Sequence, residues 1–318
     1  MATPETLAHA MANRSRKKMI LAATLTGGIY TYLAAKGKIK MEDTGPEIEN
    51  PLITGSNPNV TTAQYYDTVP VDETNEFDTV LYNMTRMVGS LIMSEQEQDE
   101  NQGDAVIIKI LEGKITALEH AIKKFQRTKA CSLNTGSDPN GLPNLLPFDP
   151  TTGTVGGMNL ANEPMFRNSS YDFDGGLDET NIEEAFDDIL LDLNTDDEEP
   201  NVIFVGRNIW RLHRAAARDK VQISLGATGF GKQLINLGIK GTTHQGIPMI
   251  YDEALDPDDF YFVNDRYLHI HVLKSANMKV KKLVSPWNQD AIGRRYIMEY
   301  QLCNWKAYRT HAAGTNRV

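Results

Sequence analysis

Residues 64–93 read QYYDTVPVDETNEFDTVLYNMTRMVGSLIM: two β-prone runs, 64–71 and 77–93, on either side of the polar turn Asp72, Glu73, Thr74, Asn75, Glu76. In the second run Val80, Tyr82 and Met84 alternate with Leu81, Asn83 and Thr85, so neither face is purely apolar. Such a ribbon gains little by folding back on its own subunit, and an isolated two-stranded hairpin is marginal in water. The pattern therefore predicts a long extended hairpin over residues 46–94 that another surface completes, a neighbouring copy being the simplest candidate. The ribbon is acidic, with Arg86 its only cation, and so needs a basic or neutral landing surface. Asp72, Glu73, Glu76, Asp78 and Arg86 are the contact candidates on the ribbon. Arg207, Arg211, Arg214, Arg218, Lys279, Lys281 and Lys282 are the candidates on the surface that receives it.

Upstream, residues 1–45 read as an arm: polar, glycine-bearing and basic pieces around one apolar patch, residues 19–35, with no sustained period. Arg14, Arg16, Lys17 and Lys18 before that patch imitate a signal peptide. Thr24, Thr26, Gly27, Gly28 and Thr31 dilute it, however, and it falls short of the ~20 residues a membrane span needs. An arm that packs on other subunits is the preferred reading.

Downstream, Leu111, Ile115, Leu118, Ile122 and Phe125 form one apolar stripe at helical spacing within residues 95–130. Glu95, Glu97, Asp99 and Glu100 precede it, and Lys123, Lys124, Arg127 and Lys129 fall near its end, as the helix dipole favours. Residues 131–179 are rich in Gly, Pro, Asn, Thr and Asp and predict a long irregular stretch. A second helix spans 180–193, with Thr180 and Glu183 as a capping box and Ile182, Ala185, Phe186, Ile189, Leu190 and Leu193 as its buried face. A buried-type strand, 202–205, and a helix carrying Arg207, Arg211, Arg214 and Arg218 on one face follow. Strands are expected at 247–251, 260–263, 269–273 and 296–303.

The net charge of −10 argues against a general nucleic-acid binder. Its distribution is uneven: residues 1–199 hold 15 Lys+Arg against 33 Asp+Glu, and residues 200–318 hold 17 against 9. These are either two solvated surfaces or faces that attract one copy to another. Cys131 and Cys303 follow no metal or disulfide spacing and read as buried free thiols.

The chemical motifs are weak. Gly226-Ala-Thr-Gly-Phe-Gly231-Lys232-Gln233 has P-loop spacing, but Gln233 stands where a Ser or Thr hydroxyl would bind Mg²⁺. A Walker B-like strand ending in Asp252 and Glu253 follows too closely for a full nucleotide-binding layer. Asp172, Asp174 and Asp178 hint at a calcium loop, yet Gly176 occupies a ligand position, so a turn into the acidic helix is expected. His269 and His271 share a strand face without a third ligand. The sequons at Asn59, Asn83 and Asn168 matter only if the chain is secreted. No catalytic residue, cofactor or metal is expected, and no membrane partner.

Local sequence carries a resemblance. Leu133-Asn-Thr-Gly, Gly141-Leu-Pro-Asn-Leu-Leu-Pro, Thr154-Val-Gly-Gly-Met158-Asn and Pro164-Met-Phe-Arg-Asn168 follow the long helix in that order. Phe260-Tyr-Phe-Val-Asn264, Tyr267-Leu-His-Ile and Tyr300-Gln-Leu-Cys-Asn304 close the chain. Across residues 46–310 this resembles the tailed-bacteriophage major capsid proteins of the Hong Kong 97 type. The resemblance implies an α+β fold with an N-terminal arm (1–45), an extended loop (46–94), a peripheral domain (95–180) with a spine helix (100–130), an axial domain (181–255) and closing strands of the peripheral domain (256–318). It implies a structural role: pentamers and hexamers in an icosahedral head that encloses double-stranded DNA. A portal and decoration proteins would be partners, the virion the location, and the host cytoplasm the place of assembly. About 45 residues before the loop are too few for a large fused scaffold, so a separate scaffolding protein, or none, is implied. No lysine lies between Lys40 and Lys109, so the loop has no amine for the isopeptide crosslink some members make. The rivals are an encapsulin-like compartment of the same fold, a nucleotide-dependent enzyme using Lys232, and a secreted binding protein.

Overall fold

The computed structural model describes residues 28–43, 45–53, 59–68, 70–71, 77–94, 104–194, 198–217, 241–282, 291–305 and 310–317. The expected arm before residue 28, the turn with Asp72, Glu73 and Glu76, the first acids of the long helix, Arg218, the glycine loop 226–232 and the side chain of Lys282 lie outside the described residues.

The chain is α+β, as the sequence implies. Helix α1 (Gly28–Ala35) leads into β1 (Ile39–Glu42), β2 (Glu47–Ile53), β3 (Phe77–Asn83) and β4 (Thr85–Ser94). The long helix α2 (Asp104–Cys131) follows, then the one-turn α3 (Leu142–Leu145), the small hairpin β5 (Thr154–Val155) and β6 (Met158–Asn159), and β7 (Ser169–Asp172). Next come α4 (Ile182–Leu193), β8 (Val202–Val205), α5 (Arg207–Ala216), β9 (Gly241–His244) and β10 (Ile247–Tyr251). The chain closes with β11 (Asp259–Val263), β12 (Leu268–Leu273), β13 (Lys279–Lys282), β14 (Ala291–Asn304) and β15 (Ala312–Thr315).

Two sheets organise these elements. In the first, the long β14 lies between β4 on one side and β12 then β13 on the other, with β1 parallel to β12. Helix α2 crosses one face. A Cβ on Gly89 of β4 would come within 3.0 Å of Leu118 and 3.6 Å of Ile122, so the missing side chain is what lets the helix approach. Gly89 thus fixes the faces: Met87, Leu91, Tyr296 and Met298 point at the helix, and Val88, Ser90, Ile92 and Arg295 point away.

The second sheet has the order β7-β15-β11-β8-β10-β9. Its central strand β8 is buried on both faces, Val202 and Phe204 in one core and Ile203 and Val205 in the other. A continuous apolar run is what a doubly covered strand requires. Helices α4 and α5 cover the second core. Strands from both sides of residue 255 share this sheet, because β11 pairs with β8 and β15 pairs with β11. The boundary expected at residue 255 therefore does not coincide with a sheet boundary.

Helix α1 corrects the reading of an arm for residues 28–35; residues 1–27 lie outside the described residues. Ile29, Tyr30, Tyr32 and Leu33 are buried in their own chain. Two buried carboxylates hold the helix: Asp252 accepts from Ile29 N–H at 3.4 Å, and Asp265 from Tyr32 O–H at 2.7 Å. Asp252 also takes Arg127 Nε of α2 at 2.7 Å, so one carboxylate ties α1 and the spine-like α2 to the end of β10. No helix among the described residues is long and apolar enough to cross a membrane.

Two helix details also differ. Helix α4 starts at Ile182, and Asp178 rather than Thr180 organises its entry, its Oδ1 accepting from the backbone N–H of Thr180 and Asn181. Within α2, Phe125 is exposed and Gln126 is buried, its amide reaching Met298 Sδ at 3.6 Å. The buried stripe swings round to Gln126 and Ala130 at the end of the helix, because there it meets α1 and α3 as well as β4.

Candidate intersubunit surfaces

The ribbon exists, with a different partner. Phe77–Asn83 pairs antiparallel with Glu47–Ile53, not with residues 64–71. Residues 64–67 form a local turn instead. Gln64 N–H donates to Asp67 Oδ2 at 2.7 Å, Asp67 N–H returns to Gln64 O at 3.1 Å, and Tyr66 takes a φ of +75°. Pro51 conceals β2 in the sequence; it is tolerated because β2, among the described strands, pairs with β3 alone. The second run also breaks at Met84, whose N–H donates to Pro46 O at 2.7 Å. Past that break, β4 leaves the ribbon for the first sheet.

The two-strand register separates a home half from a free half. Near the base, Ile48 opposite Tyr82, and Val80 two residues further, are buried. Tyr82 donates to Asn304 O at 2.8 Å and meets the Trp305 ring edge-on at 5.8 Å. At the far end Ile53 sits opposite Phe77, and the two are 68% and 67% exposed. Val60, Tyr65, Tyr66 and Val71 on the connecting segment are exposed as well. Among its described residues, the base of the ribbon is thus buried at home and the distal end lacks cover. Of its candidate contacts, Asp78 is exposed, whereas Arg86 is engaged in its own chain with Glu299 at 2.6 Å.

The base of the ribbon rests on the motif residues. Gly156 and Gly157 have φ of +57° and +78°, the two positive values of a type I′ turn between β5 and β6. A Cβ on Gly156 would strike Val80 at 2.4 Å, and Leu81 N–H donates to Gly156 O at 2.8 Å. Asn134 and Asn144 exchange backbone-to-amide bonds at 2.8 and 2.7 Å around α3. Arg167 Nε donates to Leu160 O at 2.6 Å, and the buried Asn168 amide reaches Pro147 O at 3.0 Å. These polar residues satisfy backbone that forms neither helix nor sheet.

The candidate cations divide into two groups on different sheets. Arg207, Arg211 and Arg214 line the outward face of α5, all exposed, over the second sheet. Lys279 and Lys281 are exposed on β13, at the edge of the first sheet. Cross-strand register places Lys279 in line with Ile297 and Val88, and Lys281 in line with Arg295 and Ser90, on the face away from α2. Val88 and Ile92 there are half exposed, 51% and 50%. Among the described residues, Arg295 Nε is buried without a hydrogen-bond partner. Sequence reasoning missed Val88, Ile92 and Arg295 because the alternation of β4 and β14 does not say which face the helix covers.

The remaining chemistry is structural. Asp172 Oδ1 accepts from Asp174 N–H at 3.1 Å, and Asp178 Oδ1 accepts from Thr180 N–H in the turn before α4, so these acids serve turns. Among the described residues no His, Cys, Asp and Glu group is arranged to hold a metal. His269 and His271 are packed, and His271 Nδ1 lies 2.7 Å from Glu42. Burial, aided by the nearby Lys40 charge, pushes His269 down to about 4. His213 and His244 sit 3.3 Å apart, buried between α5, β9 and α4; burial and then the His244 charge hold His213 at about 4. Both cysteines are buried and free, their thiols raised by desolvation. A cavity of 630 Å³ lies beside Cys131, Phe148 and Arg317, and one of 470 Å³ lies at the ribbon base beside Asn83, Asp138 and Gln301.

Solved structures share this architecture. The capsid asymmetric unit of cyanophage A-1(L) superposes with a TM-score of 0.65 at 13% identity, over 88% of this chain and 90% of that one. The fold is the Hong Kong 97-type capsid fold. The same fold in the capsid of the empty GTA particle matches with a TM-score of 0.56 at 9% identity, over 89% and 96%. The holo-SrpI encapsulin complex from Synechococcus elongatus PCC 7942 matches at 0.52 and 10%, over 92% and 89%. No family model matches the sequence, and no curated protein matches it.

Proposed function

We propose that this chain is the major shell protein of a tailed phage, assembling as pentamers and hexamers into an icosahedral head that encloses double-stranded DNA. The observation that carries this is the ribbon's free half: Ile53 and Phe77 stand paired in solvent at the end of a strand pair whose base is well buried. Exposed apolar side chains gathered at one end of an element whose other end is buried fit a contact site. In a chain of capsid fold, the partner of simplest kind is the next copy.

On this reading residues 46–94 are the extended loop, with β4 as its root. Residues 95–180 and the first-sheet strands of 256–318 are the peripheral domain, and residues 181–255 are the core of the axial domain. The ribbon's exposed row of Glu47, Glu49, Pro51 and Ile53 fits a surface that is both apolar and basic. The face with Val88, Ile92, Lys279, Lys281 and Arg295 has that chemistry. The role is structural rather than catalytic, the chain's place is the virion, and a separate scaffolding protein, a portal and decoration proteins would be its partners.

The test is negative-stain microscopy of the purified protein, followed by nuclease treatment and analysis of the contents. Closed shells or rings of five and six support the proposal. A monomer at every concentration and salt contradicts it. The encapsulin match supports a second reading in which the shell holds protein, and shells loaded with protein cargo in place of DNA would favour it.

A further inference from the structure

Helices α4 and α5 pack side by side over the second sheet, yet their solvent faces carry opposite charge. On α4, Glu184, Asp188, Leu191 and Asp192 are exposed, and Leu191 is 74% so. These residues lie away from the flank that meets α5. That inner flank is marked by Asp187, 2.8 Å from His244, and by Glu183, whose charge acts on His213 of α5. On the other side Tyr171 of β7, the far edge strand, donates to Asp192 at 3.2 Å. The outward face of α5 is a row of three arginines, Arg207, Arg211 and Arg214, spaced one helical turn apart.

One layer therefore presents an acidic face with an exposed leucine toward one edge and a basic face elsewhere. Two different, mutually complementary patches on one molecule make a head-to-tail contact, and such contacts close into rings when the rotation allows. We propose that the acidic flank of α4 in one copy docks on the arginine face of α5 in the next, and that this contact closes the pentamers and hexamers. The inference rests on the shell reading above and adds the surface that makes the ring. It also assigns the arginines a partner other than the ribbon, which leaves Lys279, Lys281 and Arg295 to receive the ribbon. Leu191 supplies the apolar centre of the contact, and the charges set its orientation and on-rate.

The test uses three full-length variants beside the unaltered chain: Arg211→Glu with Arg214→Glu, Glu184→Lys with Asp188→Lys, and all four together. Each site is exposed, so the unfolding midpoints of the dispersed subunits should agree closely. Each two-site variant is expected to lower ring and shell yield at least about tenfold, because like charges then face each other. The four-site variant restores the attraction with inverted sign and is expected to assemble within about twofold of the unaltered chain. If the two-site variants assemble normally, or the four-site variant stays as poor as they are, the contact is wrong. If arginine reversal leaves assembly intact but lowers DNA content, the arginines face nucleic acid and the inference is overturned. Should the unaltered chain form no rings or shells, the shell reading itself fails, which separates the two outcomes.

Discussion

Replacing Arg127 by alanine probes the joint on which the two layers depend. Asp252 is 1% exposed and receives Arg127 Nε at 2.7 Å, while the arginine side chain is 31% exposed. Breaking a buried ion pair from one side costs about 3–5 kcal/mol, since it strands the other charge. Asp252 would keep Ala254 N–H at 3.0 Å and Ile29 N–H at 3.4 Å, which places Arg127→Ala at the lower end, about 3 kcal/mol. The second contact of Arg127, to Glu253 at 3.7 Å, adds little because that carboxylate is 76% exposed. For a chain of this size the unfolding midpoint should fall by roughly 4–5 °C. The assay is urea and thermal unfolding of dispersed subunits followed by circular dichroism, with Lys129→Ala as reference. Lys129 pairs with Asp138 at 2.6 Å, and that carboxylate is 38% exposed and can be solvated once the lysine is lost, so the loss should cost under about 1 kcal/mol. In an Asp252→Ala background the Arg127 substitution should become nearly neutral. Equal costs for the two alanine variants, or no coupling to Asp252, would refute the account of the joint.

Phe77→Ser and Ile53→Ser should leave subunit stability within about 0.5 kcal/mol but reduce shell yield sharply, as read by unfolding curves and sedimentation. Gly156→Ala should destabilise by at least about 2 kcal/mol, combining positive φ with the Val80 contact. Gly153→Ala, at φ +90° with open space around it, should cost only the conformational strain of about 1 kcal/mol or slightly more. His213 and His269 each sit at about 4 when folded against an unfolded 6.5. The unfolded chain therefore binds more protons below pH 6.5, and subunit stability should be full above that value and decline from pH 6.5 to 4. His213→Gln should flatten that slope in midpoint-versus-pH measurements; an unchanged slope would mean that His213 does not cause it.

The readable parts of the sequence were those whose period matched a single environment. In α4, Ile182, Phe186, Ile189, Leu190 and Leu193 face one core, so the helical stripe shows directly, and β8 shows as an unbroken apolar run because both its faces are covered. Residues 64–71 misled because a local side-chain turn at Asp67 outcompetes a strand with no partner. Strand β2 was hidden by Pro51, a signal against strands that loses its force where one side is unpaired. The sequence of helix α1 reads as an arm because the carboxylates that hold it, Asp252 and Asp265, lie more than 200 residues away. As for the contact surface, the arginine row of α5 was legible at helical spacing. The separation of those arginines from Lys279 and Lys281, and the addition of Val88, Ile92 and Arg295, required the sheet register.

An electron cryomicroscopy reconstruction of the purified full-length protein tests the central claim most directly. The account predicts a closed shell in which Ile53 and Phe77 of each copy are buried against the adjacent one. Particles of single-subunit mass under all conditions, with those two side chains packed on their own chain, would contradict it.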